Sequence, residues 1–278
     1  MKTNLHVCFT GLHPEKNFNN IKKLISSFEL YASGSSVNVG YSIIYDPTQT
    51  GLDAYGETQK VIPDNVVPRL LEDRVCKEDK LNLLEYQSGF FKTGEKFSFG
   101  PPSLIVQNEP VTYFCKFHAL DNDYIFKVRS DVEVSDYYIK KFLDCNFYEA
   151  LNNNKCENKV FDSKVFIPYI GPEHPFDFCD YFFLGRAKNL LNCLPKDYED
   201  AIHRWHANFF GGKAFTEKFH FLSENLIQHF NEKNSNLNSI NHWDTKFYWS
   251  VIKDNFEISF DGRLARNLGR PVLDKNKK

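Results

Sequence analysis

Apolar residues along this chain come in short runs separated by polar punctuation, and the spacing within each run predicts an element. Leu5 to Phe9 is a mostly apolar run closed by Thr10-Gly11, which predicts a first buried strand. Asn17 stands where an N-cap belongs. Behind it Ile21, Leu24, Ile25 and Phe28 repeat at i, i+3, i+4, i+7, one face of a helix that Ser33-Gly34-Ser35 ends. Val37 to Tyr45 predicts a second strand, stopped by Asp46-Pro47. Strand, helix and strand in this order form a βαβ unit, which implies a parallel sheet.

Residues 47–63 are polar with Gly and Pro and predict a loop at the sheet's C-terminal edge, and 67–84 leans towards helix. Pro101 and Pro102 precede a helix that reaches Leu120 with an interruption at Pro110. Tyr124 to Val128 predicts a buried strand, and Ser135 then caps a helix carrying Tyr138, Ile139 and Phe142. Residues 160–170 and 178–184 predict two more strands, the second ended by Gly185 and followed by a helix from Ala187 to Pro195. Ser223 caps a helix through Phe230, and 231–241 is a polar loop. No internal repeat or low-complexity linker divides the chain. The expected organisation is one α/β domain over residues 1–260, a mostly parallel sheet flanked by helices, with a basic tail over 261–278.

Composition narrows the classes. With 42% hydrophobic and 16% aromatic residues in 278, the chain can bury a sizeable core. A formal net charge of −2 argues against coating nucleic acid, which relies on a basic surplus. Seven cysteines with no CxxC pair predict reduced thiols in a cytoplasm. The first residues are too weakly apolar for a signal peptide, and no window approaches the roughly 20 apolar residues of a bilayer span. A cytoplasmic location is expected.

The chemistry concentrates in Asp123-Tyr-Ile-Phe-Lys-Val-Arg-Ser-Asp131-Val-Glu133, where a buried strand ends in Lys127 and Arg129 and two acids, Asp131 and Glu133, follow. Strand ends open into the crevice where open α/β sheets bind ligands. Cations there can hold phosphate oxygens, and two nearby carboxylates can share a hard divalent cation with a substrate phosphate. The same pattern is met in a strand followed by a solvated charged loop. Thr10 and Gly11 end the first strand, where Gly either permits a turn or lets the backbone approach a nucleotide. Asp46 can accept from a ribose or base, and equally suits a pre-proline turn. Asp180 begins the aromatic run Tyr181-Phe182-Phe183, where burial would raise its pKa and suit it to be a base, with Asp177 competing. Glu224 follows Ser223 at a helix start, where the helix dipole alone favours an acid. His203, His206, His220, His229 and His242 form no zinc-hydrolase spacing, and neither a P-loop nor Gly-x-Gly-x-x-Gly occurs.

Three dispersed motifs carry a resemblance: Tyr124-Ile-Phe-Lys-Val-Arg-Ser-Asp131, Cys179-Asp-Tyr-Phe-Phe-Leu-Gly185 and Ser223-Glu-Asn-Leu-Ile-Gln-His-Phe230. With the Phe9-Thr-Gly-Leu12 turn, their order resembles the WavE family of glycosyltransferases of lipopolysaccharide and capsule synthesis, over roughly residues 5–231. The resemblance implies a GT-A-like nucleotide-sugar fold, a nucleotide-sugar donor, and a lipid-linked or oligosaccharide acceptor reached at the inner membrane by peripheral contact. It places Lys-x-Arg-x-Asp where such enzymes carry Asp-x-Asp, with Arg129 in place of the first acid. Asp131 and Glu133 would then hold Mn2+ or Mg2+, Thr10, Gly11, Asp46, Lys127 and Arg129 the nucleotide sugar, and Asp180 or Glu224 would serve the acceptor. The rival classes are a metal-dependent phosphoryl transferase or nuclease, and a non-catalytic glycan-binding relative.

Overall fold

The structure, a computed structural model, describes residues 3–11, 17–46, 50–52, 58–60, 66–88, 96–97, 101–152, 156–169, 178–179, 181–198, 226, 229–230, 245–259 and 265–267. The first half runs β1 (Thr3–Thr10), α1 (Phe18–Ala32), β2 (Val37–Tyr45), β3 (Thr50–Leu52), β4 (Thr58–Lys60), α2 (Val66–Glu72), β5 (Leu81–Glu85), β6 (Lys96–Phe97) and α3 (Pro101–Phe117). The second half runs β7 (Tyr124–Arg129), β8 (Val132–Val134), α4 (Asp136–Phe142), α5 (Cys145–Asn152), β9 (Val165–Ile167), β10 (Phe182–Arg186), α6 (Ala187–Cys193), α7 (Thr245–Asn255), β11 (Phe256–Ile258) and β12 (Ala265–Asn267).

Seven strands make the main sheet in the spatial order β11-β9-β10-β7-β1-β2-β5. β1 pairs parallel with β2 and β7, β2 with β5, and β9 with β11. β10 runs antiparallel to both β7 and β9. The fold is therefore α/β with a seven-stranded, mainly parallel sheet flanked by helices. Alternate side chains of each strand enter opposite layers. Leu5, Val7, Phe9 and Phe126 meet Phe18, Ile21, Leu24, Ile25 and Phe28 of α1 on one face. Cys8, Ile44, Ile125 and Phe183 meet Val111 and Phe114 of α3 and Leu190 of α6 on the other. Phe126, Tyr138, Phe142, Phe166 and Phe182 interlock beside α1 at centroid separations of 4.9–5.9 Å. Four of the chain's 27 phenylalanines lie in this cluster, in the tilted and edge-on geometries that aromatic quadrupoles favour.

From β1 the chain crosses by α1 on one face to β2 and then β5, and it returns by α3 on the other face to β7, on the far side of β1. The β1–β7 boundary is a topological switch point, where open α/β sheets leave a crevice beyond their strand ends.

Several expectations change. The loop expected over 47–63 holds β3 and β4, which join β6 in a separate three-stranded sheet. Polarity alone does not prevent strand pairing, because the ladder is made by backbone groups. The helix expected over 67–84 stops at Glu72, and Leu81–Glu85 becomes the edge strand beside β2, tertiary pairing overriding the helix preference of leucine. α3 continues through Pro110. The pattern predicts nothing regular between 241 and 261, a stretch that holds α7 and β11. The segment expected as a tail supplies β12, whose Arg266 stands opposite Glu133 of β8, because a short strand presents unpaired backbone groups. All seven cysteines are free thiols, and burial raises the pKa of Cys8, Cys115 and Cys193 well above the ordinary value. Among the described residues no helix is long and apolar enough to cross a membrane.

Candidate functional site

Parallel pairing brings Thr10 directly opposite Arg129 at the switch point. Gly11 turns the chain away with φ +90°, a conformation that a Cβ would strain. The amide of Ser130 donates to Thr10 O at 3.4 Å, so the two strand ends stay joined past the last ladder pair. The start of α1 is tied to the same place. Asn17 Nδ2 donates to Ser130 Oγ at 3.1 Å, and Asn20 Nδ2 donates to Ser130 O at 3.3 Å. Asn17 was expected to cap α1; its side chain makes no cap hydrogen bond and instead bridges to Ser130, just past β7. Thr10 Oγ1 and Asn17 Oδ1 are buried with no hydrogen-bond partner among the described residues. Such atoms call for a partner such as a water, an ion or a ligand; Ser42 Oγ of β2 and Ser135 Oγ before α4 share this state elsewhere in the fold.

Arg129 and Asp131 close a two-residue fork. Arg129 Nε donates to Asp131 Oδ1 at 2.9 Å and its terminal nitrogen to Oδ2 at 2.5 Å, with the guanidinium 5.4 Å from the Tyr181 ring. Glu133 pairs with Lys23 of α1. The divalent cation expected at Asp131 and Glu133 would have to take both carboxylates from cations that hold them. Nor do the described residues contain a cluster of three or more His, Cys, Asp or Glu able to hold a metal. As arranged, the pair fits a metal poorly, and the fork presents positive and negative charge together.

Behind the edge, on the α3 face, lies a buried polar layer. Lys127 was expected on the donor diphosphate, but its side chain is 0% exposed. Its ammonium donates to Gln107 Oε1 of α3 at 3.2 Å and lies 5.4 Å from the Phe183 ring. Residues 125, 127 and 129 share one face, so Lys127 is one pleat deeper than Arg129, beneath the helix. Asp46 is also buried, and its Oδ2 accepts the Ser88 amide at 2.9 Å, clamping the chain after β5. Ser88 Oγ donates to Glu109 of α3.

Asp180 and Glu224, expected to serve the acceptor, lie outside the described residues, as do Asp177, Ser223, His203, His206, His220 and His242. The residues flanking Asp180 are placed: Cys179 N donates to Tyr169 O at 3.0 Å, and Tyr181 O accepts from Arg129 N at 3.1 Å. Because β10 is antiparallel to β7, its leading end meets the edge where β1 and β7 finish. The structure thus gathers Thr10, Gly11, Arg129 and Asp131, sets Lys127 and Asp46 behind them, and adds Asn17, Asn20, Ser130 and Gln107. Sequence reasoning missed these four because their partners lie 20 to 113 residues away; two asparagines three apart at a helix start were the available signal.

No protein-family model matches the chain, and no curated protein matches it. The resemblance to the WavE family therefore rests on its motifs alone. Among solved structures, the inositol-1-phosphate CTP transferase from T. maritima is similar at TM-score 0.32 and 7% identity, over 92% of this chain and 99% of that one. A glycosyltransferase involved in glycosylation of the major capsid of PBCV-1 is similar at TM-score 0.31 and 10% identity, over 94% of this chain and 93% of that one. At these values neither likeness says anything about ligand or reaction.

Proposed function

We propose that this chain is a glycosyltransferase that holds a nucleotide-sugar donor in the crevice at the β1–β7 switch point and passes the sugar to a glycan acceptor. The observation that carries the reading is the register of Thr10 against Arg129. It puts a buried hydroxyl that has no partner among the described residues beside a guanidinium, at the point where a parallel α/β sheet opens.

In this reading Arg129 turns from Asp131 to the diphosphate, whose two oxygens match its planar fork. The acceptor hydroxyl attacks the anomeric carbon, the bond from that carbon to the diphosphate oxygen breaks, and Arg129 stabilises the charge on the leaving group. A carboxylate takes the hydroxyl proton; Asp180, beside residues at this edge, is the first candidate and Glu224 the second. Lys127 and Asp46 hold the floor of the site. The divalent cation expected at Asp131 and Glu133 is given no part in this reading, since Arg129 and Lys23 hold the two carboxylates. The three motifs support a lipopolysaccharide or capsule acceptor, lipid-linked or oligosaccharide. A thermal-shift panel of nucleotide sugars, each with and without Mn2+, tests the reading, since a ligand of the native state raises the melting temperature by mass action. A clear rise with one donor is expected, and its retention without Mn2+ is expected if Arg129 carries the diphosphate. A panel with no rise would overturn the proposal.

A further inference from the structure

Gln107 sits in the middle of α3 with its side chain close to Gly11. It retains 6% of its surface, and its Cγ lies 3.8 Å from where a Cβ on Gly11 would stand. Its amide has two chemically different ends, and the protein decides which way they face. The Lys127 ammonium has three donors and no acceptor, so only the amide oxygen can face it. At 3.2 Å that contact fixes Oε1 inward. The Nε2 end is thereby turned away from the lysine, and among the described residues it meets no acceptor. The fully buried Thr10 hydroxyl, also without a partner among them, ends the strand that precedes Gly11.

We infer that Gln107, with its orientation set by Lys127, is a specificity residue that donates a hydrogen bond to a neutral acceptor on the nucleobase of the bound nucleotide, a ring carbonyl oxygen. This rests on the nucleotide reading above and deepens it. An amide and a hydroxyl are both uncharged, and such buried neutral donors suit a neutral ligand atom better than a phosphate, whose desolvation asks for a cation. The cation at the edge is Arg129, one pleat further out. Lys127 then acts as a positioning residue: it touches no ligand and holds the amide in the one orientation that offers a donor. The discrimination expected follows from the cost of leaving such a group unpaired, since a site built to hydrogen-bond one atom rejects ligands that lack it.

The test uses the full chain and three probes: UDP, GDP and inorganic pyrophosphate, bound by calorimetry to wild type and to Gln107→Glu. The carboxylate keeps a partner for Lys127, so the fold is retained, which circular dichroism and the melting temperature verify. It replaces the outward donor by an acceptor. The better-bound nucleoside diphosphate should lose affinity at least tenfold in Gln107→Glu, with pyrophosphate affinity unchanged. An equal loss for pyrophosphate would overturn the inference by moving Gln107 to the phosphates. Undiminished nucleotide affinity in the variant would overturn the inference alone. Failure of wild type to bind either nucleotide, in the presence or absence of Mn2+, would overturn it together with the nucleotide reading.

Discussion

The two ends of strands β1 and β7 make opposite use of buried polar groups. At the N-terminal edge, Asp123 is saturated. Its carboxylate accepts from Asn4 Nδ2 at 3.0 Å and from the Leu120 amide at 3.0 Å, and faces His6 Nε2 at 3.3 Å, while its backbone carbonyl accepts from Ala187 at 2.9 Å. At the C-terminal edge, Thr10 Oγ1 and Asn17 Oδ1 are buried without partners among the described residues. Polar groups that complete their hydrogen bonds inside the chain stabilise the fold, whereas polar groups that leave them incomplete are available to a ligand. On the proposed reading, the contrast sets a structural edge against a ligand-binding one.

The largest expected effect tests the saturated edge. Asp123→Ala leaves the Leu120 amide and Asn4 without their acceptor, and should cost on the order of 3 kcal/mol of stability by urea denaturation. A loss below about 1 kcal/mol would show that the N-terminal edge is not held by this residue. Asp131→Asn comes next. It removes the carboxylate that holds the Arg129 guanidinium at this edge, so it should lower sugar transfer about a hundredfold, close to 2.7 kcal/mol in barrier, in a protein that melts normally. Near-normal turnover would remove Asp131 from the site. Arg129→Lys should weaken nucleotide-sugar binding about tenfold in calorimetry, because an ammonium cannot reproduce the bidentate fork, with free-sugar binding unaltered. The smallest effect sharpens the comparison most. Thr10→Val keeps shape and β-branching and deletes only a hydroxyl with no partner among the described residues, so stability should change by less than about 0.5 kcal/mol while donor affinity falls. A destabilisation as large as that of Asp123→Ala would mean the two edges are alike.

Much of this was readable beforehand. β1, α1, β2 and β7 announce themselves by period, and Arg129 and Asp131 by their place at a strand end. What the sequence concealed depends on distance along the chain. Lys127 and Arg129 have the same side-chain parity, but nothing local says that α3 covers one and not the other. Leu81–Glu85 reads as helix because the backbone of β2 that captures it is not part of the local pattern. Asn17 reads as a cap because its true partner, Ser130, is 113 residues on. Gln107 carries no signal until the lysine that orients it is in place.

β10 is the strand that runs against its neighbours, and this has a consequence for how such a site can change over evolutionary time. Strands β1, β2 and β7 finish at this edge, whereas β10 begins there, directly after Tyr181. On the proposed reading, the first set meets the donor and the second meets the acceptor. The two specificities then reside in separately variable stretches of chain, so a new acceptor can be acquired by insertions ahead of β10 without disturbing the register that joins Thr10 to Arg129.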